Sequence, residues 1–168
     1  AFTQLEPVVP SLDGFESARA GDVLRCGAIE LAFDGTGAIS HLVDSRDGHG
    51  WADANHTLLQ LKYRTYSAAD VGSFFGSYCM STADWVEHDY GKPGLPPSVV
   101  GAVWKTSLTG LYAKASAQGA CSFVVATAFD ADASSEYGAA AASWTGLEID
   151  DASATIAVTV RLFNKSST

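Results

Sequence analysis

Between Thr155 and Leu162 the chain reads Thr-Ile-Ala-Val-Thr-Val-Arg-Leu, so the larger apolar residues Ile156, Val158, Val160 and Leu162 recur at every second position. A period of two is the repeat of a β-strand with one buried face, because successive side chains leave the pleat on opposite sides. A helix would scatter the same four residues around its axis. The rhythm recurs in residues 23–26 and 29–34, and in residues 59–66, where Leu59, Leu61, Tyr63 and Thr65 share one face of what reads as a long central strand. Residues 99–108, 110–116, 121–129, 143–149 and 154–163 are rich in β-branched and aromatic residues and are separated by Gly, Ser and Asp, which marks further strands.

Turn chemistry supplies the connections. Asp34-Gly35-Thr36-Gly37 offers two glycines for positive φ, and residues 38–43 then resume the apolar rhythm, which predicts a β-hairpin. One segment departs from the strand pattern. Ser67 stands three residues before Asp70, a pairing suited to a helix N-terminus, and Val71, Phe74, Phe75 and Tyr78 follow at i, i+3, i+4 and i+7. The expectation is a mainly β chain of seven to nine strands, an antiparallel β-sandwich with one short helix near residues 68–79, its aromatic stripe turned to the core. Residues 1–20 carry Pro7, Pro10 and Gly14 with little periodicity and read as an extended arm or linker, leaving 21–168 as the sandwich domain.

Composition narrows the partners. The 168 residues suffice to bury a core. Nineteen acidic residues against ten basic ones give a net charge of −9, which repels nucleic acid and anionic membrane surfaces. No apolar run is long enough for a membrane-crossing helix, and Ala1 to Pro10 lack the features of a signal peptide, so any leader is expected to be already removed. Sequons at Asn55-His56-Thr57 and Asn164-Lys165-Ser166 make Asn55 and Asn164 glycosylation candidates and point to a secreted, extracellular chain. Cys26, Cys79 and Cys121 are the disulfide candidates. At most one intramolecular bridge forms among three, and no pair has metal-finger or redox spacing, so neither a metal nor a cofactor is expected.

Residues 84–94, Asp-Trp-Val-Glu-His-Asp-Tyr-Gly-Lys-Pro-Gly, hold the densest polar and aromatic cluster and read as a loop. Glu87 and Asp89 are the residue types of a glycosidase acid and base, but two residues apart on one extended segment does not set them across a sugar. The contact candidates for glycan or a partner are Trp85, Glu87, His88, Asp89, Tyr90 and Lys92: an aromatic ring covers the apolar face of a pyranose while the polar groups bond its hydroxyls. The same residue types also suit a plug at the edge of the core. Trp51, Trp104 and Trp144, each alone on a strand or loop, read as packing. No nucleophile elbow, P-loop or dinucleotide fingerprint occurs.

Residues 27–95 resemble a family of long secreted proteins related to the family 38 glycoside hydrolases, the α-mannosidases. The matching residues are Ile29-Glu30-Leu31-Ala32-Phe33-Asp34-Gly35-Thr36-Gly37-Ala38-Ile39 with His41-Leu42, then Tyr63-Arg64-Thr65-Tyr66-Ser67, and the cluster from Trp85 to Gly94. Glu136-Tyr137-Gly138 and Val160-Arg161-Leu162-Phe163-Asn164-Lys165 look similar too. The resemblance implies a β-sandwich region, similar to the galactose-mutarotase supersandwich, that follows a (β/α) catalytic domain. That domain carries the catalytic aspartate and zinc ligands, for which this chain has no matching positions. The expected role is therefore a non-catalytic portion of a glycoside-hydrolase-like protein, not expected to be an enzyme on its own, that packs on adjoining domains of the same polypeptide or contacts glycan. Thr168 follows what reads as a strand, so a fragment of a longer polypeptide is expected. The alternative is a structural subunit of an extracellular filament or matrix, assembled through strand edges and a spare thiol.

Overall fold

In the computed structural model, which describes residues 10–81, 83–115 and 119–166, eleven strands and three helices are assigned. The chain divides into two compact units, Ala1–Leu61 with Lys105–Thr168, and Lys62–Trp104. Residues 1–9 of the expected arm lie outside the described residues.

The first unit is an antiparallel β-sandwich, as the period-two pattern requires. One sheet has four strands, β2 (Leu24–Cys26), β3 (Ile29–Phe33), β4 (Ile39–Asp44) and β5 (His49–Ala52), in that order. The other combines β1 (Glu16–Ala18), β8 (Ser107–Ala115), β9 (Ala120–Ala128), β10 (Ala142–Asp150) and β11 (Thr155–Phe163) in the order β1-β8-β9-β10-β11. β1 comes from the segment expected to be an arm, and it pairs with β8 from Glu16 opposite Ala113 to Ala18 opposite Leu111. Leu31, Phe33, Ile39 and Leu42 on the four-stranded side meet Leu111, Phe123, Val125, Leu147 and Ile149 on the other, all nearly inaccessible to solvent. Removing this apolar surface from water is the main stabilisation of the unit.

Local chemistry explains the joints. Asp34 turns the predicted hairpin: its Oδ1 accepts hydrogen bonds from the amides of Thr36 (2.8 Å) and Ala38 (3.1 Å), and Gly37 sits at φ 81°. A Cβ at Gly37 would run into the Thr127 methyl, so glycine is required there for space as well as conformation. Cys26 and Cys121, with Cα atoms 5.8 Å apart, form a disulfide from β2 to β9 that ties the two sheets together. Cys79, the third candidate, is a free thiol. Near the same end of the sandwich, Arg46 donates from Nε (2.8 Å) to Asp44 Oδ1 and from Nη1 (3.0 Å) to the Asp151 carbonyl, joining the β4–β5 and β10–β11 turns. The guanidinium holds the Asp44 carboxyl below the usual carboxylate range.

The second unit contains a ribbon of β6 (Lys62–Thr65) and β7 (Ala102–Lys105), with helices α1 (Ala68–Tyr78) and α2 (Asp84–Tyr90). The helix expected near 68–79 is present, and Ser67 caps it as its position predicts. The Asp70 amide donates to Ser67 Oγ (3.1 Å), and the Ser67 amide donates to Asp70 Oδ2 (2.8 Å).

Three expectations are corrected here. The long strand over 59–66 is reduced to the four residues of β6, because Leu59 adopts φ 56° and breaks the extended run. Leu58 instead bridges Ile39 of the sandwich. The aromatic stripe of α1 is not core: none of its residues is buried, Phe74 and Tyr78 are exposed, and their rings stack on each other at 4.7 Å. Finally, residues 84–90 are helical rather than loop, with Asp84 and Glu87 in the first turn where the helix dipole favours acids and Pro93 just beyond the end. A third helix, α3 (Ala131–Ser135), begins at Asp130, whose side chain accepts from the Asp132 amide. No helix among the described residues is long and apolar enough to cross a membrane.

Candidate functional site

The six contact candidates all lie on or just after α2, and all six are exposed. The helix separates them. At about 100° per residue, Glu87 and Asp89 project roughly 200° apart, so the two carboxylates diverge instead of flanking a common bond. Trp85 and Asp89, at i and i+4, share a side, as do Trp85 and His88. Glu87 and Lys92 lie elsewhere, in a groove lined also by Val71 and Phe75 of α1. His88 Nδ1 lies 2.7 Å from the Asp84 carbonyl, one turn back along the helix. Only Val86 of this helix is buried; Trp85 and Tyr90 are 64% and 65% exposed. The two rings therefore do not plug the edge of a core, and what the helix offers is a set of polar and aromatic groups on different sides.

The sequons occupy exposed positions: Asn55 in the turn where its amide donates to Asp53 Oδ1 (2.7 Å), and Asn164 just after β11. Trp104, read as packing, donates from Nε1 to Thr65 Oγ1 (3.0 Å), within the second unit. Trp51 is exposed beside His49, with ring centroids 4.7 Å apart. Among the described residues no group of three or more His, Cys, Asp or Glu could hold a metal ion.

Two surfaces emerge that sequence reasoning did not assign. The first is the inner side of β11. In its register with β10, Ile156 lies opposite Ile149, Val158 opposite Leu147, Val160 opposite Thr145 and Leu162 opposite Ser143. The β10 residues of this series are buried. Their neighbours on β11 face the same way, toward the interior of the sandwich, yet Val158, Val160 and Leu162 are 43%, 44% and 50% exposed. Only Ile156 packs on the core. Among the described residues the five-stranded sheet thus extends one strand past its cover, with β11 as one of its two edges.

The second surface is the opposite, outer side of the same sheet. Three rows of side chains cross it: Gly110, Ala126, Trp144 and Arg161; then Tyr112, Val124, Gly146 and Thr159; then Lys114, Ser122, Glu148 and Ala157. Trp144, Gly146 and Glu148 alternate along one strand, but the rows need the register of four.

No curated protein and no solved structure matches the chain. Residues 1–157 match the family model described as "Domain of unknown function (DUF5054)". With that match covering nearly all of its length, the chain belongs to the DUF5054 family.

Proposed function

We propose that the chain is the non-catalytic β-sandwich portion of an extracellular glycoside-hydrolase-like protein, and that it packs on an adjoining domain or contacts glycan. The observation that carries this reading is the uncovered inner strip of β11. Edge strands of soluble proteins are usually blunted by Lys, Pro, bulges or short length. β11 runs nine residues in unbroken register, has Arg161 as its one charge, and contains no proline. Burying the exposed half of Val158, Val160 and Leu162 would contribute on the order of 1 kcal/mol apiece, in addition to the backbone pairing of the edge. An edge with these properties suits a neighbour that continues the sheet and covers the strip. The Cys26–Cys121 disulfide and the exposed sequons support an extracellular setting.

A Val160→Arg substitution tests the packing. In the native secreted protein it should lower the yield of folded material, because a charge would enter a covered apolar seam. The chain alone should keep its urea midpoint. Unchanged yield and stability of the native protein would overturn the reading.

The same edge favours a second reading, a structural subunit of an extracellular filament or matrix. An antiparallel pairing of β11 with a second copy, centred on Thr159, sets Val158 against Val160 and Arg161 against Ala157, so no like charges oppose. Sedimentation separates the two: a stable polymer indifferent to sugar supports assembly, and a monomer that binds oligosaccharide removes it.

A further inference from the structure

The outer face of an antiparallel sheet is ordinarily solvated and polar. Here Val124 and Ala126 are buried on that face, and Trp144 and Tyr112 are half-buried, with stacked rings whose centroids are 6.5 Å apart. Val124 and Gly146 are paired in the middle row, and nothing lies within 4 Å of where a Gly146 Cβ would project. Glycine inside a strand weakens it and leaves the backbone open to close approach by another molecule. Gly146 therefore opens a trough of about 370 Å³, within the range of small-ligand sites.

Its walls are polar and held in place. Ser122 Oγ donates to Glu148 Oε2 at 2.6 Å, leaving the rest of the carboxylate free to accept. Lys114 Nζ donates to the Asp13 carbonyl at 3.0 Å and stands 5.6 Å from the centre of the Phe15 ring, which fixes the segment before β1 as the far wall. Arg161, at the Trp144 end, is exposed and makes no hydrogen bond or ion pair among the described residues. Trp144 to Glu148 spans about 13 Å along the strand, long enough for a disaccharide.

We infer that this trough binds a neutral oligosaccharide, with Trp144 against the apolar face of a pyranose, Glu148 accepting from its hydroxyls and Arg161 donating to them. An aromatic platform bordered by one acceptor and one donor matches the amphipathic surface of a sugar. Glu148 and the net charge of −9 disfavour an anionic ligand. The inference rests on the glycan-contacting half of the proposed function and moves the contact from α2 to the sandwich.

Titration calorimetry of the whole chain with cellotetraose, mannotetraose and xylotetraose tests it. At least one should bind. Trp144→Ala should weaken that binding by about tenfold or more. Glu148→Gln and Arg161→Gln, at exposed positions where the fold is kept, should each weaken it by at least about fivefold. If none of the three sugars binds, the trough assignment and the glycan half of the proposed function both fall, and packing through β11 remains. If binding resists all three variants but is lost in Trp85→Ala, the trough falls and the glycan reading stands on α2.

Discussion

Removing the Cys26–Cys121 bridge has a consequence that can be sized from the structure. The two cysteines are 95 residues apart in sequence and join β2 to β9 across the sandwich. Cross-linking a loop of that length removes about 15.7 cal/mol/K from the entropy of the unfolded chain, or about 4.7 kcal/mol at 25 °C. A domain of ordinary stability has only about 5–15 kcal/mol in total. The double variant Cys26→Ser, Cys121→Ser should therefore be folded marginally or not at all at 37 °C. The assay is urea unfolding of the oxidised chain and of the double variant. With a slope near 2 kcal/mol/M, a typical value for a small domain, the midpoint should fall by about 2 M. The matched control is Cys79→Ser, which removes a free thiol and should leave stability within about 0.5 kcal/mol. A midpoint shift below about 0.5 M in the double variant, at unchanged slope, would refute the claim that this bridge ties the sheets together.

Further outcomes follow from particular contacts. The Asp44 carboxyl is held low by Arg46, so its contribution to stability is present above the ordinary aspartate range near pH 3.9 and is lost as pH falls through the lower, folded-state value. Urea midpoints measured from pH 6 to pH 2 should decline less steeply for Asp44→Asn than for the native chain, and parallel curves would refute it. Gly37→Ala should destabilise by at least about 1 kcal/mol, through positive φ and the clash with Thr127, as read by thermal unfolding. Leu147→Ala, in the covered part of the sheet, should cost about 2–5 kcal/mol. Val160→Thr, across the β10–β11 pair on the same face, should cost the chain alone no more than about 0.5 kcal/mol by the same measurement.

The elements legible in the sequence are those whose signal is local. The alternation of Ile156, Val158, Val160 and Leu162 marks a strand because the pleat imposes that period on any half-buried extended segment. Asp34 with Gly37, and Ser67 with Asp70, carry their turn and cap within four residues. Periodicity encodes direction, not coverage. The apolar rows of β11 and α1 look alike in sequence to those of a covered core, yet the residues that would cover them are set by how far the opposing layer reaches. α2 was hidden for a different reason: Trp85, Val86, His88 and Tyr90 are weak helix formers, and the Gly91 to Gly94 stretch suggests a turn before its own position. The choice of Cys121 over Cys79 as the partner of Cys26, and the meeting of Trp144 with Ala126 and Arg161 and of Glu148 with Ser122, depend on register between strands distant in sequence.

The proposed packing role requires that β11 be covered in the full-length protein and uncovered in the chain alone. Hydrogen–deuterium exchange, read by mass spectrometry on peptides spanning Thr155–Phe163, compares the two directly. If the proposed packing holds, the amides along this edge exchange quickly in the isolated chain and at least about a hundredfold more slowly in the full-length protein. Equal exchange of this strand in both would contradict it.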